Sequence, residues 1–237
     1  MNNDTLMCHS LSANTLSNAT RFSHNSIQGH HHSKFGVEYY ADKVKLRWSM
    51  STGCLVDPNG IAAKYAAGAV HTRSILGSGL LLSDEGDTLV ISDMHLPYQH
   101  EAAFDFLDSL NNYYDFKYIL NVGDLYDHHA GSYHESEPGA YSPEEEFMWA
   151  AHYAAMLQGI FPKMVITTGN HDAIPQRKLK SCGLPSSMLS DYNAMYTTDE
   201  GWEFKDEHWF DSKGAFPAVV PMRLNKRGKW DGKILCP

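Results

Sequence analysis

The sequence predicts an α/β fold built around a parallel sheet. Three observations carry that expectation. Short apolar strands recur in the middle of the chain, helical patterns separate them, and each strand runs directly into Asp, His, Asn or Gly. In such sheets functional groups gather at the carboxyl ends of the strands.

The elements follow in order. Thr88 to Ser92 (TLVIS) is a buried-strand pattern that runs into Asp93-Met-His95. Glu101 to Leu110 is helical, with Ala103, Phe104, Leu107 and Leu110 on one face. Lys117 to Val122 is the second strand and ends in Gly123-Asp124. The next helix opens with Ser142 as N-cap, Pro143 at the first helical position and Glu145 closing a capping box. It runs through FMWAAHYAAMLQ and is expected to stop near Gly159 as a C-cap. Met164 to Thr168 is the third strand, ending in Gly169-Asn-His-Asp172.

The flanks are less regular. Residues 1–82 mix β-like runs (Leu6 to Cys8, Val37 to Tyr40, Leu46 to Trp48, Ser74 to Leu76, Leu80 to Leu82) with turns, and Ile61 to Ala69 is an alanine-rich helix candidate. Residues 173–214 look like a loop-rich excursion, Phe216 to Leu224 is a last strand, and a basic tail follows. Trp149 and Trp202 are expected to anchor the core.

A chain of 237 residues can bury a substantial core in one large domain or two small ones. The net charge of −9 argues against nucleic-acid binding through a basic surface. A nucleic-acid substrate held by bound cations stays open, because such a site carries its own positive charge. Four cysteines with no CxxC pair fit a reducing compartment. No signal peptide and no membrane-length apolar run is read, so the expectation is a soluble cytoplasmic protein.

Near the N-terminus, the stretch IQGHHHSKFG (Ile27 to Gly36) places three histidines in a row. They fit a tag remnant, a solvated loop or metal ligands, and the choice depends on partners elsewhere in the chain.

Such partners stand at the strand ends: SDMH (Ser92 to His95), GDLYD (Gly123 to Asp127) and GNHD (Gly169 to Asp172). A lone DxH is usually a polar loop. In this order on successive strands, the three motifs resemble the calcineurin-like metallophosphoesterases. The resemblance implies a four-layer α/β/β/α sandwich of two mixed sheets and a dinuclear metal site. Two divalent ions roughly 3.5–4 Å apart need hard or borderline ligands and one bridging carboxylate.

The family also needs a strand-end His and a GHxH after GNHD, but downstream of Asp172 only His208 remains and no GHxH follows. Either the site is incomplete or the missing ligands lie upstream, where His9 at a strand end and the GHxH Gly29-His30-His31-His32 stand in the family's relative order. Phe35 to Leu82 and Phe216 to Trp230 resemble the C-terminal portion of compact phage and prophage phosphoesterases. The expected organisation is therefore one circularly permuted domain over 1–237. In it, 1–82 is the family's C-terminal half, 88–212 its N-terminal half, and 215–237 the closing strand and tail. Permutation is tolerated where old termini lie close and new connections are surface turns.

By resemblance, one metal takes Asp93, His95, Asp124 and His32, and the other takes Asp124, Asn170, His9 and His30. Manganese is the first expectation, with iron, zinc, cobalt or nickel as alternatives. A hydroxide bridging the metals is expected to attack phosphorus, with catalytic His171 assisting the leaving group and Asp127 orienting it. Many relatives carry Arg directly after GDxxD, whereas this chain has His128, which favours a diester over a dianionic monoester. His128 and Arg177 are candidate substrate contacts, each weighed against a plain loop or surface role. The substrate class is a small-molecule or nucleotide phosphoester. The alternatives are a phosphomonoesterase or nuclease acting on nucleotides or nucleic-acid ends, a site completed within a swapped homodimer, and a non-catalytic scaffold retaining the fold.

Overall fold

The computed structural model describes residues 4–10, 12, 14–63, 74–132, 137–212 and 214–235. Two mixed β-sheets pack face to face with helices on both outer sides. The first sheet has the order β10-β1-β2-β4-β3. Its strands are β1 (Thr5–Met7), β2 (Asn25–Gln28), β3 (Phe35–Ala41), β4 (Leu46–Thr52) and β10 (His208–Phe210). Here β1, β2 and β4 are parallel, with β3 and β10 antiparallel at the edges.

The second sheet has the order β11-β5-β6-β7-β8-β9. It comprises β5 (Gly77–Leu82), β6 (Thr88–Ile91), β7 (Tyr118–Asn121), β8 (Met164–Thr167), β9 (Trp202–Lys205) and β11 (Phe216–Pro221). Strands β6 to β9 are parallel, and β5 and β11 close one side antiparallel.

The apolar runs of β5 to β8 have no polar alternation because both faces of this sheet are covered. Successive side chains point to opposite faces. Leu81, Val90, Leu120 and Val122 therefore meet Met7, Ile27, Trp48 and Met50 of the first sheet. Their neighbours Leu80, Leu89, Ile91, Ile119 and Ile166 pack under α2 (Ala103–Tyr114) and α3 (Pro143–Ile160). The helices contribute Phe106, Leu107, Leu110, Ala154 and Leu157, all fully buried. Burying each large apolar side chain stabilises by about 1.5–3 kcal/mol. On the far side of the first sheet lies α1 (Thr15–Phe22), capped by the Asn14 side chain, which accepts from Ser17 N–H.

Several expectations are corrected. Both halves of the Ser142–Glu145 capping box form, but Gly159 is not the C-cap: α3 continues to Ile160 and Phe161 caps it. Trp202 is buried and donates its Nε1–H to the Phe161 carbonyl at 2.9 Å, whereas Trp149 is 43% exposed and is no core anchor. Residues 173–214 are about half loop, as expected of this stretch, but not without regular structure. They hold α4 (Ile174–Ser181), α5 (Tyr192–Tyr196) and the strands β9 and β10. The run at Ser74 to Leu76 forms only a bridge between Leu76 and Cys54, with the strand starting at Gly77. Helical turn begins at residues 61–63, and the rest of the Ile61 to Ala69 candidate lies outside the described residues. No described helix is long and apolar enough to cross a membrane.

Candidate metal centre

Five loops deliver the functional side chains, all at carboxyl ends of strands. β1 leads to His9, β2 to Gly29 through His32, β6 to Asp93 and His95, β7 to Asp124 and Asp127, and β8 to Gly169 through Asp172. The turns are tight. His30, Asp93, His95, Asp124 and His128 all have left-handed backbone, with φ between 47° and 65°. Side chains other than glycine adopt that region at a cost of about 1–2 kcal/mol each, and such residues cluster at functional sites.

The loops press against each other closely. A Cβ at Gly29 would lie 2.0 Å from Ser92 Oγ and 2.4 Å from Asp93 Oδ2. The approach lets His30 N–H donate to the Asp93 carboxylate at 3.0 Å. A Cβ at Gly169 would lie 2.1 Å from Asp124 Oδ1, the oxygen that accepts from His171 N–H at 2.7 Å. Asp172, fully buried, accepts from Tyr126 N–H at 2.9 Å and Gly169 N–H at 2.8 Å, tying the second motif to the third. Burial pushes its carboxyl up to about 6.

Three ligand-type groups form among the described residues: His9, His30 and Asp124; His32, Asp93 and His95; and His95, Asp127 and His171. His9 Nε2 lies 2.9 Å from Asp124 Oδ2 and 3.2 Å from His30 Nδ1. His32 Nε2 is 3.1 Å from Asp93 Oδ1. His95 Nε2 lies 4.0 Å from Asp93 Oδ1 and 3.8 Å from Asp124 Oδ2. Ligands bound at about 2.0–2.2 Å to one ion stand about 3–4 Å apart, and all these separations fall near that interval. Asp124 Oδ2 faces both the His9 and the His95 groups, the position a bridging carboxylate takes.

The second layer fixes tautomers. His9 Nδ1–H donates to the Val122 carbonyl at 2.8 Å, and His95 Nδ1–H donates to Asp127 Oδ1 at 2.5 Å. Each leaves Nε2 as the donor atom toward a metal, the usual arrangement for a ligating imidazole. His95 Nε2 is buried and has no hydrogen-bond partner among the described residues. An orphaned lone pair between two carboxylates is what a cation satisfies. The residues therefore fit divalent metal ions.

Charge distribution agrees. Burial lowers the His9 pKa, but the adjacent Asp124 outweighs it and holds the ring protonated up to about 10. Burial likewise opposes ionisation of Asp124 and Asp93, yet the surrounding histidines hold both carboxyls below the usual range. The carboxylates thus favour positive charge at the centre of the cluster, as a cation site requires.

Asp127 serves two rings. Besides His95, its Oδ1 lies 3.2 Å from His171 Nδ1, which also bonds the Asp127 carbonyl at 2.8 Å. Burial lowers the His171 pKa, but the Asp127 hydrogen bond and charge raise it to about 9. Asn170 sits exposed between Gly169 and His171, and its carbonyl accepts from Arg177 at the start of α4. Both ring nitrogens of His128 are engaged inside the protein, Nδ1 with the His171 carbonyl at 3.0 Å and Nε2 with Tyr196 OH. Burial lowers its pKa to about 4, so it is neutral at pH 7.

Glu146 and Tyr196 escape sequence reading. Glu146 is buried in the first turn of α3 and accepts from His129 N–H at 2.6 Å and Ala130 N–H at 2.7 Å, bracing the turn after Asp127. Its carboxyl is pushed up to about 7 by burial. The capping-box pattern Ser142 to Glu145 pointed to the helix start and carried no sign that the next glutamate turns inward.

Two mixed sheets with Asp and His gathered around a shared carboxylate define a metallohydrolase scaffold. The family model for calcineurin-like phosphoesterases matches residues 87–230, more than half of the chain, and the chain belongs to that family. Comparisons with curated proteins and with solved structures gave no match. Family and site together support a metal-dependent phosphoric ester hydrolase. His9, His30 and His32 precede the matched stretch.

Proposed function

We propose that this protein is a dinuclear-metal phosphodiesterase whose chain is circularly permuted relative to its family. The observation that carries the reading is the convergence of His9 and His95, 86 positions apart by number, on the same oxygen of Asp124 at 2.9 and 3.8 Å. In this reading Asp93, His95, Asp124 and His32 hold one ion, and Asp124, Asn170, His9 and His30 the other. Manganese is the first candidate. Bound divalent ions supply Lewis acidity and a water acidified toward neutrality.

The chain's own residues do the rest. Asp127 holds His171 protonated, so that His171 can pass its proton to the departing ester oxygen as the P–O bond breaks. Gly29 and Gly169 admit the backbone N–H groups that fix Asp93 and Asp124.

Preference for a diester rests on missing positive charge. A dianionic monoester is best held by a bidentate guanidinium, but the position after Asp127 is a neutral, fully engaged His128. Arg177 donates to the Asn170 carbonyl. A singly charged diester needs less compensation. Nucleotide or small-molecule diesters both suit this core, and a cytoplasmic setting fits the three described cysteines being free thiols.

The test compares hydrolysis of an aryl phosphodiester and its monoester with added manganese, for wild type and for His30→Ala with His32→Ala. Diester turnover lost in a folded double variant supports the reading. Turnover that survives it removes the N-terminal histidines from the site and ends the permuted reading. A higher kcat/KM for the monoester ends the diester reading alone.

A further inference from the structure

The outer surface of α3 does not match its neighbour's. On α2 the exposed positions are Asp105, Asp108, Asn112 and Tyr113, an ordinary solvated face. After Glu146, α3 carries no charged side chain to its end. Its buried residues Glu146, Ala150, Ala154 and Leu157 define the inner side. Met148, Trp149, His152, Ala155, Met156 and Gly159 form one exposed stripe opposite, at helical spacing. Met148 is 63% exposed, Met156 44% and Trp149 43%. Beyond its acidic first turn, and apart from His152 and Gln158, α3 is apolar on its outer as well as its inner side, and a helix of that kind is covered on both sides in its working state.

Gly159 is the second observation. A Cβ built there meets nothing within 4 Å, and its backbone is not left-handed. Nothing in the described chain requires glycine, which weakens a helix by about 1 kcal/mol relative to alanine. The small side chain leaves a hollow on the outer stripe, two turns and more beyond Trp149.

We propose that α3 pairs antiparallel with α3 of a second copy to form a two-fold symmetric, reversible dimer. The stripe is self-complementary in that arrangement. Trp149 of each copy fills the hollow at Gly159 of the other, and His152 packs against Met156. The same register sets the acidic first turn, Glu144 and Glu145, against Lys163 of the second copy. Lys163 is exposed and forms no ion pair among the described residues. An 18-residue helix is about 27 Å long. One helix pair buries less than the roughly 800 Å² per partner of a standard interface, so the association is weak and concentration-dependent. The ligand-type side chains come together within one chain, so dimerisation is independent of the functional reading above.

Sedimentation equilibrium of the full chain, from low to high micromolar, tests this. Wild type is expected to shift from monomer to dimer across the series. Trp149→Glu should raise the dissociation constant by at least about tenfold, with an unchanged far-ultraviolet circular dichroism spectrum. Gly159→Leu fills the hollow while favouring the helix. It should be monomeric with a melting temperature no lower than wild type, so dissociation cannot be blamed on unfolding. A wild type that stays monomeric throughout, or a folded Gly159→Leu that dimerises as wild type does, overturns the proposal.

Discussion

His9 Nε2 and Asp124 Oδ2 stand 2.9 Å apart, joining the loop after β1 of one sheet to the second motif, after β7, of the other. The pair is closed from behind by the Val122 carbonyl on His9 Nδ1. Two elements that share no local sequence pattern thus form one ligand pair, and the first prediction concerns its shared member.

Asp124→Asn keeps size and removes charge. Because Oδ2 faces both the His9 and the His95 groups, this change should lower bound metal at both positions. Activity is expected to fall by more than about 100-fold, the upper end of what losing an outer partner of a metal ligand costs. Elemental analysis of the purified variant beside its turnover checks this. Full metal content would show that Asp124 is not shared.

Asp127 and His171 should separate cleanly. Asp127 contacts a proposed ligand, His95, as well as His171. Asp127→Asn should therefore lower metal affinity by about 10–100-fold and kcat together. His171→Gln should lower kcat by about 100-fold or more while metal content stays at the wild-type value. Equal metal loss in both variants would place His171 among the ligands instead.

The strand ends β6, β7 and β8 were legible because burial on both faces makes an apolar run and the turn residues follow at once. Ser142 to Glu145 was legible because capping is local chemistry. What escaped depends on tertiary partners. α1 (TLSNATRF, eight residues) and β9 (WEFK, four residues) are too short for their periodicity to stand out from the surrounding chain, and their packing against a sheet decides their state. The site was readable as ligand types, but the role of Asp127 toward His95 and the bracing by Glu146 depend on contacts made 32 and 17 positions away. Trp149 misled because a tryptophan in an apolar helix normally points inward.

Gly29→Ala removes no ligand yet should damage the site. The new methyl would fall 2.0 Å from Ser92 Oγ and 2.4 Å from Asp93 Oδ2, far inside contact distance, so the His30 turn must move off Asp93. The expected loss is about 1–3 kcal/mol of stability, as for overpacking, with metal content reduced. A thermal melt and metal analysis read both effects. A variant that melts and binds metal like wild type would show that the loop yields freely.

Glu146 gives a pH-dependent prediction. Its carboxyl is pushed from the ordinary 4.5 to about 7 by burial, so the folded state holds this proton more tightly than the unfolded one. Stability from Glu146 is then fully present below pH 4.5 and is lost as pH rises toward about 7. With the side chain 5% exposed, the span corresponds to about 3 kcal/mol. Glu146→Gln cannot ionise, but it still offers one carbonyl to the His129–Ala130 turn. It should be less stable than wild type at pH 5, where the neutral carboxyl costs nothing, and should close or reverse that gap by pH 8. Melting temperatures of both proteins between pH 5 and 8 decide it, since the other titrating groups are common to the pair. Parallel curves would mean that Glu146 keeps an ordinary carboxyl pKa in the folded chain.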